Sequence, residues 1–335
     1  MPALKDLDYL AARLHGRRAR MAEGNRLYAL CGLASPEELA AALFPGAGLS
    51  SSAGIQRRLA EENFRELHAL ARSLNKPGAK FLAWLAARWQ AENLKISVRR
   101  IAAGASPETA RRLLCGPPGG MGPYGAGVAD AKTPGELLAA LPGGPLKDGL
   151  ARAYKLYSGE NSLFFLEASL DQAYLTELLA LTAALPGPGR AEALALAAQE
   201  ADSFHLALVT RGKFFNGFEK NELLRLHVAG AGINRRRFSR MLLAPDLEAA
   251  RALAGRAAPE AGGGNAERAA WSRYARLANK AFRGSGADLG LVTGYAALRR
   301  LEAANLTTVA EGLRLGVPAG VLRGLLIRTA EEENV

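Results

Sequence analysis

Four histidines, His15, His68, His205 and His227, are the obvious candidates for metal or acid–base chemistry, but none has a second ligand three or four residues along the chain. Their spacing predicts structural or surface roles. The phosphate cradle G-x4-G-K-[ST] is absent, and the GAG of Gly230 to Gly232 lacks both the preceding strand and the third glycine of a dinucleotide site, so it reads as a helix end. Ser50, Ser51 and Ser52 have no G-x-S-x-G setting for a nucleophile. Glu92, Glu219 and Glu302 each stand within three residues before a recurring asparagine, at offsets that differ, which suits pairing with Arg or Lys better than an acid–base pair. The basic clusters Arg99-Arg100, Arg111-Arg112 and Arg235-Arg236-Arg237 are candidate contacts for acidic protein or lipid headgroups, or a solvated face. Aromatic residues do not interleave with them as a nucleic-acid stacking platform would require. No catalytic residue, cofactor or metal site is expected.

The elements that carry these residues follow from a skeleton that occurs three times. Asn93, Gly104 and Leu114 recur with the same spacing as Asn221, Gly232 and Leu242, and as Asn305, Gly316 and Leu326. Phe81, Leu85, Trp89, Asn93 and Ile96 fall at helical spacing; so do Phe214, Phe218, Asn221, Leu224 and Val228, and Leu298, Leu301, Asn305 and Thr308. Each asparagine is therefore predicted on a buried helix face, where its amide must be hydrogen-bonded and ties the helix to a neighbouring backbone. Each glycine is predicted to end that helix in the left-handed conformation, with Ser106-Pro107, Asn234 or Pro318 opening the next one.

The E-N-L-K, N-x10-G-x8-L-L pattern resembles the C/d family of the archaeal/vacuolar-type (V/A-type) rotary ATPases, the socket of their central stalk. FLEASLDQAYLTELL, with Glu167, Leu170, Asp171 and Tyr174, and GYAALRRLEAANL, with Tyr295, Glu302 and Asn305, are similar to the motifs before its later copies, and Tyr9 to Arg13 to its opening helix. The resemblance implies an all-α chain of three helical modules about a pseudo-threefold axis, shaped as a funnel. It implies a non-catalytic rotor subunit linking the central-stalk subunits to the membrane rotor ring, peripheral to the cytoplasmic face of the membrane, without nucleic acid or a small-molecule substrate. Arg99, Arg100, Arg235, Arg236 and Arg237 are its candidate interface residues here. Glu222, His227 and Glu311 depart from the pattern, whereas Arg99 keeps it.

Composition sets the remaining bounds. Lys and Arg exceed Asp and Glu by 11 charges, which suits an acidic partner or an anionic surface and keeps a basic helical nucleic-acid-binding protein as the alternative. Cys31 and Cys115 have no metal or redox spacing, which points to a reducing compartment. No uncharged apolar run reaches the roughly 18 residues of a membrane span. The modules are predicted at 1–117, 118–247 and 248–335, divided by the Gly/Pro-rich break at Cys115 to Gly127 and by the segment after Pro245, with its three consecutive glycines. Helices are predicted at Leu4 to Met21, Ser35 to Leu43, Gln56 to Ser73, Gly78 to Ala103, Pro134 to Leu141, Lys147 to Tyr157, Ser169 to Leu185, Arg190 to Leu208 and Ala266 to Phe282. A short strand is the alternative around Leu163 to Leu166.

Overall fold

The computed structural model describes residues 7–115, 126–157, 162–257, 266–284 and 286–328. Most of the Gly/Pro-rich break and the three-glycine run lie outside that set, as do Leu4 to Asp6. The described residues are helical throughout, with no strand among them. The first group is α1 (Leu7–Arg18), α2 (Gly24–Leu30), α3 (Pro36–Leu43), α4 (Ser52–Ala71), α5 (Lys76–Ala102) and α6 (Pro107–Leu113). Then follow α7 (Ala126–Asp130), α8 (Pro134–Ala140), α9 (Pro145–Leu156), α10 (Ser162–Ala183), α11 (Arg190–Ala207), α12 (Lys220–Arg225), α13 (Arg235–Leu243) and α14 (Leu247–Ala254). The last group is α15 (Ala266–Gly284), α16 (Leu289–Arg314) and α17 (Ala319–Leu325).

Local chemistry starts these helices where the sequence suggests. Ser35 accepts from the Glu38 N–H while the Glu38 carboxylate reaches back to the Ala34 N–H, and Thr133 and Glu136 repeat the arrangement with Lys132. Leu163 to Leu166 proves to be the first turn of α10: its apolar run is buried against α5 and α9 as a helix that is hydrophobic nearly all round, which leaves no period to distinguish it from a strand. The short α2 carries no strong signal in sequence, and it forms because Leu27 and Leu30 pack into a core.

Three helices, α5, α11 and α16, run parallel. Their first turns converge, since a Cβ on Gly78 would meet Leu289 at 3.3 Å and a Cβ on Gly189, which has φ +85°, would lie 2.1 Å from the Gly290 nitrogen. Only glycine fits that approach. Further along, α11 and α16 keep step through an ion pair between Glu200 and Arg300, and Arg88 of α5 reaches the same carboxylate. The helices between them run the opposite way. On α10, Tyr174 and Glu167 face Trp84 and Arg99 of α5, while on α4, Glu66 and Gln56 face Arg299 and Glu311 of α16. The large core takes residues from α1 to α16, and a smaller one joins residues 22–59 to residues 303–326. No helix among the described residues is long and apolar enough to cross a membrane.

Candidate functional site

Two of the recurring asparagines form one and the same latch. Asn93 is 6% exposed; its Nδ2 donates to the Cys115 carbonyl at 2.9 Å and its Oδ1 accepts from the Cys115 N–H at 2.9 Å. Asn305, also 6% exposed, donates to the Ile327 carbonyl at 3.1 Å and accepts from the Ile327 N–H at 2.8 Å. Between latch and partner the chain rounds Gly104 (φ +61°) or Gly316 (φ +67°) and returns through α6 or α17. Each left-handed glycine allows the next N–H to close the helix, Ala105 onto the Arg100 carbonyl and Val317 onto the Gly312 carbonyl. The short helix then plugs a fully buried residue, Ala110 or Leu322, against the long one. The amide side chain suits this position because it pairs with both halves of a peptide group without carrying charge.

The second copy departs from its predicted register. Asn221 is exposed, Gly232 is not among the left-handed glycines, and Phe214, Phe218 and Asn221 do not share one helix because the chain turns between Phe215 and Lys220. The latch geometry appears instead at His205, Gly217 and Val228. Gly217 has φ +70°, the Phe218 N–H closes onto the Gly212 carbonyl, and α12 opens two residues beyond the glycine, at Glu219, as α6 opens at Ser106 and α17 at Pro318. Leu223 is the fully buried plug, six residues after the glycine like Ala110 and Leu322. The latch is the His205 Nε2, which accepts from the Val228 N–H at 2.9 Å. Val228, Cys115 and Ile327 each stand eleven residues after their glycine.

Asparagine precedes its glycine by eleven residues and His205 by twelve; the extra residue is absorbed by the π-helical segment Leu208–Phe215 that continues α11. The second copy therefore lies one structural unit earlier than its spacing predicts. Gly232 serves a different purpose. A Cβ there would lie 2.5 Å from Asp202 Oδ2, so glycine lets the chain pass a buried carboxylate that accepts from the Ile233 N–H at 2.6 Å. Burial pushes the Asp202 carboxyl up to about 6, against the hydrogen bond from Ile233 and the charges of Arg273 and Arg237. Leu242 is buried on α13, while Leu114 and Leu326 follow α6 and α17 directly. The counterpart of Leu114 and Leu326, ten residues after the glycine, is His227.

With the register corrected, a further set of positions lines up. Arg88, Glu200 and Arg300 each stand five residues before their latch residue, and they meet. Glu200 is 7% exposed and lies 2.5 Å from Arg300 Nη1 and 3.7 Å from Arg88 Nη1, and it accepts from the Tyr274 hydroxyl at 2.9 Å. Burial alone would raise the Glu200 carboxyl, but Arg300 and Arg88 outweigh it and hold it below the ordinary carboxylate range. Aromatic faces complete the shell: Arg300 lies 5.1 Å from the Trp271 ring centre and 5.4 Å from that of Tyr274, and Arg88 5.5 Å from that of Tyr174. The cluster separates two cavities. One of 70 Å³ lies toward the convergent helix starts, among Phe81, Leu85, Ala193 and Ala297. The other, of 220 Å³, lies toward the latches, between Asp171, Phe204, Arg211 and Trp271.

The candidate interface arginines divide. Arg100 is buried and donates to the Ala105 and Ala131 carbonyls, which makes it a structural residue. Lys213, at the same distance from its own glycine, donates likewise to the Ala244 carbonyl, and the third copy has Gly312 there, where a Cβ would strike Leu322 at 2.0 Å. Arg99 is exposed and held by two bonds to Glu167, at 2.6 and 2.7 Å. Arg235, Arg236 and Arg237 are exposed at the start of α13 with no carboxylate bridge among the described residues. Of the predicted glutamate pairings, Glu92 meets Lys95 and Arg88, and Glu302 meets Arg299 and the Ala22 N–H. Among the described residues no group of three or more His, Cys, Asp or Glu could hold a metal ion.

Sequence reasoning misses His205 and Gly217 as repeat residues because it holds the interval fixed. The usable signal is the left-handed glycine followed, six residues on, by a buried plug. No curated protein matches the chain. The ATP synthase (C/AC39) subunit family matches residues 10–325, a span that contains Asn93, His205, Asn305 and the Arg88–Glu200–Arg300 cluster, and the chain belongs to that family of V/A-type rotary ATPase subunits.

Proposed function

We propose that this chain is the non-catalytic adapter of the rotor, with three modules at 1–117, 118–247 and 248–335 set about a pseudo-threefold axis as a funnel, joining the central stalk to the membrane ring. The observation that carries this reading is the meeting of Arg88, Glu200 and Arg300, one from each of three parallel helices and each five residues before its latch. Side chains from equivalent positions meet when their helices surround a common axis. The helix starts are drawn together at Gly78 and Gly189, and the larger cavity opens on the far side of the cluster. A stalk foot would seat on that side. Close-packed helices suit torque, because a dense interior transmits strain with little deformation.

Arg235, Arg236 and Arg237 are assigned to a protein contact on the flank of the second module. Their helix starts beside Asp202, twelve residues along α11, which is roughly 18 Å from that helix's first turn. An anionic leaflet at that end lies beyond the Debye length of about 8 Å and would not feel them. The test is reconstitution of the purified chain with stalk subunits and, separately, with detergent-solubilised ring. Co-elution with both, competing neither with the other, is expected. Binding to neither, by a chain that keeps its helical circular dichroism, would refute the adapter.

A further inference from the structure

Three titratable side chains hold the segment from His227 to Ile233 in the second module, and the Gln172 amide adds a bond to the His227 carbonyl at 3.2 Å. His205 is fully buried; its Nε2 accepts from the Val228 N–H, so its own proton sits on Nδ1, which is buried and has no hydrogen-bond partner. His227 stacks on it, ring centres 4.6 Å apart and planes 4° from parallel, and donates from Nε2 to the Ile233 carbonyl at 3.0 Å. Asp202, one turn before His205, takes the Ile233 N–H. Phe238 of α13 packs on both imidazoles, at 4.8 and 5.8 Å. Asn93 and Asn305 do the equivalent work in the other modules with groups that do not ionise.

We infer that the second module's latch is opened by protons: a proton on His205 Nε2 takes away the acceptor of the Val228 N–H and places a cation against the parallel His227 ring, freeing the 227–233 segment and the start of α13. Around the pair, Asp202 lies on the helix of His205, Arg235 of α13 acts on His227, and Arg237 of α13 and Arg273 of α15 act on Asp202. Arg235 adds to the cost of a cation at His227, and Asp202, one turn before His205, opposes it. Burial and then His227 push His205 down to about 3, and burial also lowers His227. A depressed imidazole contributes stability that is complete above its unfolded value near 6.5 and is lost as pH falls toward the folded value. Asp202 runs the other way. Its raised carboxyl favours the closed form below about 6, so between about 6 and its ordinary value of 3.8 it offsets one of the two histidines.

Hydrogen exchange in the intact chain tests this with internal controls. Between about pH 7.5 and pH 5, after correction for intrinsic exchange, the protection of the Val228 amide should fall by about tenfold per pH unit below 6.5 relative to the equivalent Cys115 and Ile327 amides. In His205→Asn that relative fall should all but vanish below about pH 6, where Asp202 offsets the remaining His227. Should the variant fail to fold, imidazole NMR of the native chain replaces it, and His205 should become charged only in the open population. A constant ratio of Val228 to Cys115 and Ile327 protection, or a charged His205 with Val228 still protected, would overturn the inference.

Discussion

The first and third latches solve the same problem with the same residues, an arginine in the buried cluster and an asparagine five residues on, whereas the second uses Glu200 and His205 at those places. The difference at the first position is forced by electrostatics. Three arginines meeting in a buried cluster would repel one another, and one carboxylate between two guanidiniums is the smallest change that lets all three helices approach. The difference at the second follows from the π segment. It inserts one residue between latch and glycine, so the latch side chain must reach the Val228 N–H from a shifted backbone, and a ring with an acceptor at its far end replaces a short amide. The His205 latch is thus the one that departs from the common plan, and its departures are correlated.

The largest effect should come from breaking the ion pairs of the Arg88–Glu200–Arg300 cluster. Glu200→Gln leaves Arg88 and Arg300 buried without their shared counter-charge and should cost about 3–5 kcal/mol in chemical denaturation. Replacing all three residues together by apolar side chains of similar volume should restore most of that loss, since no ion is then left unpaired. A Glu200→Gln loss under ~1 kcal/mol would mean that water already screens the cluster. Next in size are the turns. Ala in place of Gly104, Gly217 or Gly316 should cost about 1–2 kcal/mol each, because all three occupy the left-handed region. Equal losses at the three sites support a shared geometry, and a harmless Gly217→Ala would remove the His205 latch from it. The smallest effect is expected at the exposed arginines. Changing Arg235, Arg236 and Arg237 to Gln should move stability by no more than about 0.5 kcal/mol per site, while weakening capture of the flank partner in a salt-dependent way.

Much of the helical content could be read from the chain, since α3, α8 and α5 announce themselves through Ser35-Pro36, Thr133-Pro134 and Asn75 with Pro77. The latches at Asn93 and Asn305 were legible for a different reason: a polar side chain on an apolar stripe needs a partner, and an identical glycine spacing named the place. The second latch was not legible. A π insertion shifts every later residue by one, His205 carries no repeat signature, and Asn221, Gly232 and Leu242 supply by coincidence the spacing that His205 and Gly217 lack. Nor could Arg88, Glu200 and Arg300 be joined from sequence, because opposite charges at equivalent positions look like divergence until the three helices are seen to converge.

Chemical denaturation of four single variants, Asn93→Ala, Asn305→Ala, His205→Ala and Asn221→Ala, tests the corrected register most directly. The first three should each lose about 1–3 kcal/mol, because each strips a buried or half-buried backbone group of its partner, and Asn221→Ala should stay within about 0.5 kcal/mol of the native chain. An Asn221→Ala loss equal to that of Asn93→Ala, with His205→Ala neutral, would contradict the account and return the second copy to the place its sequence spacing suggests.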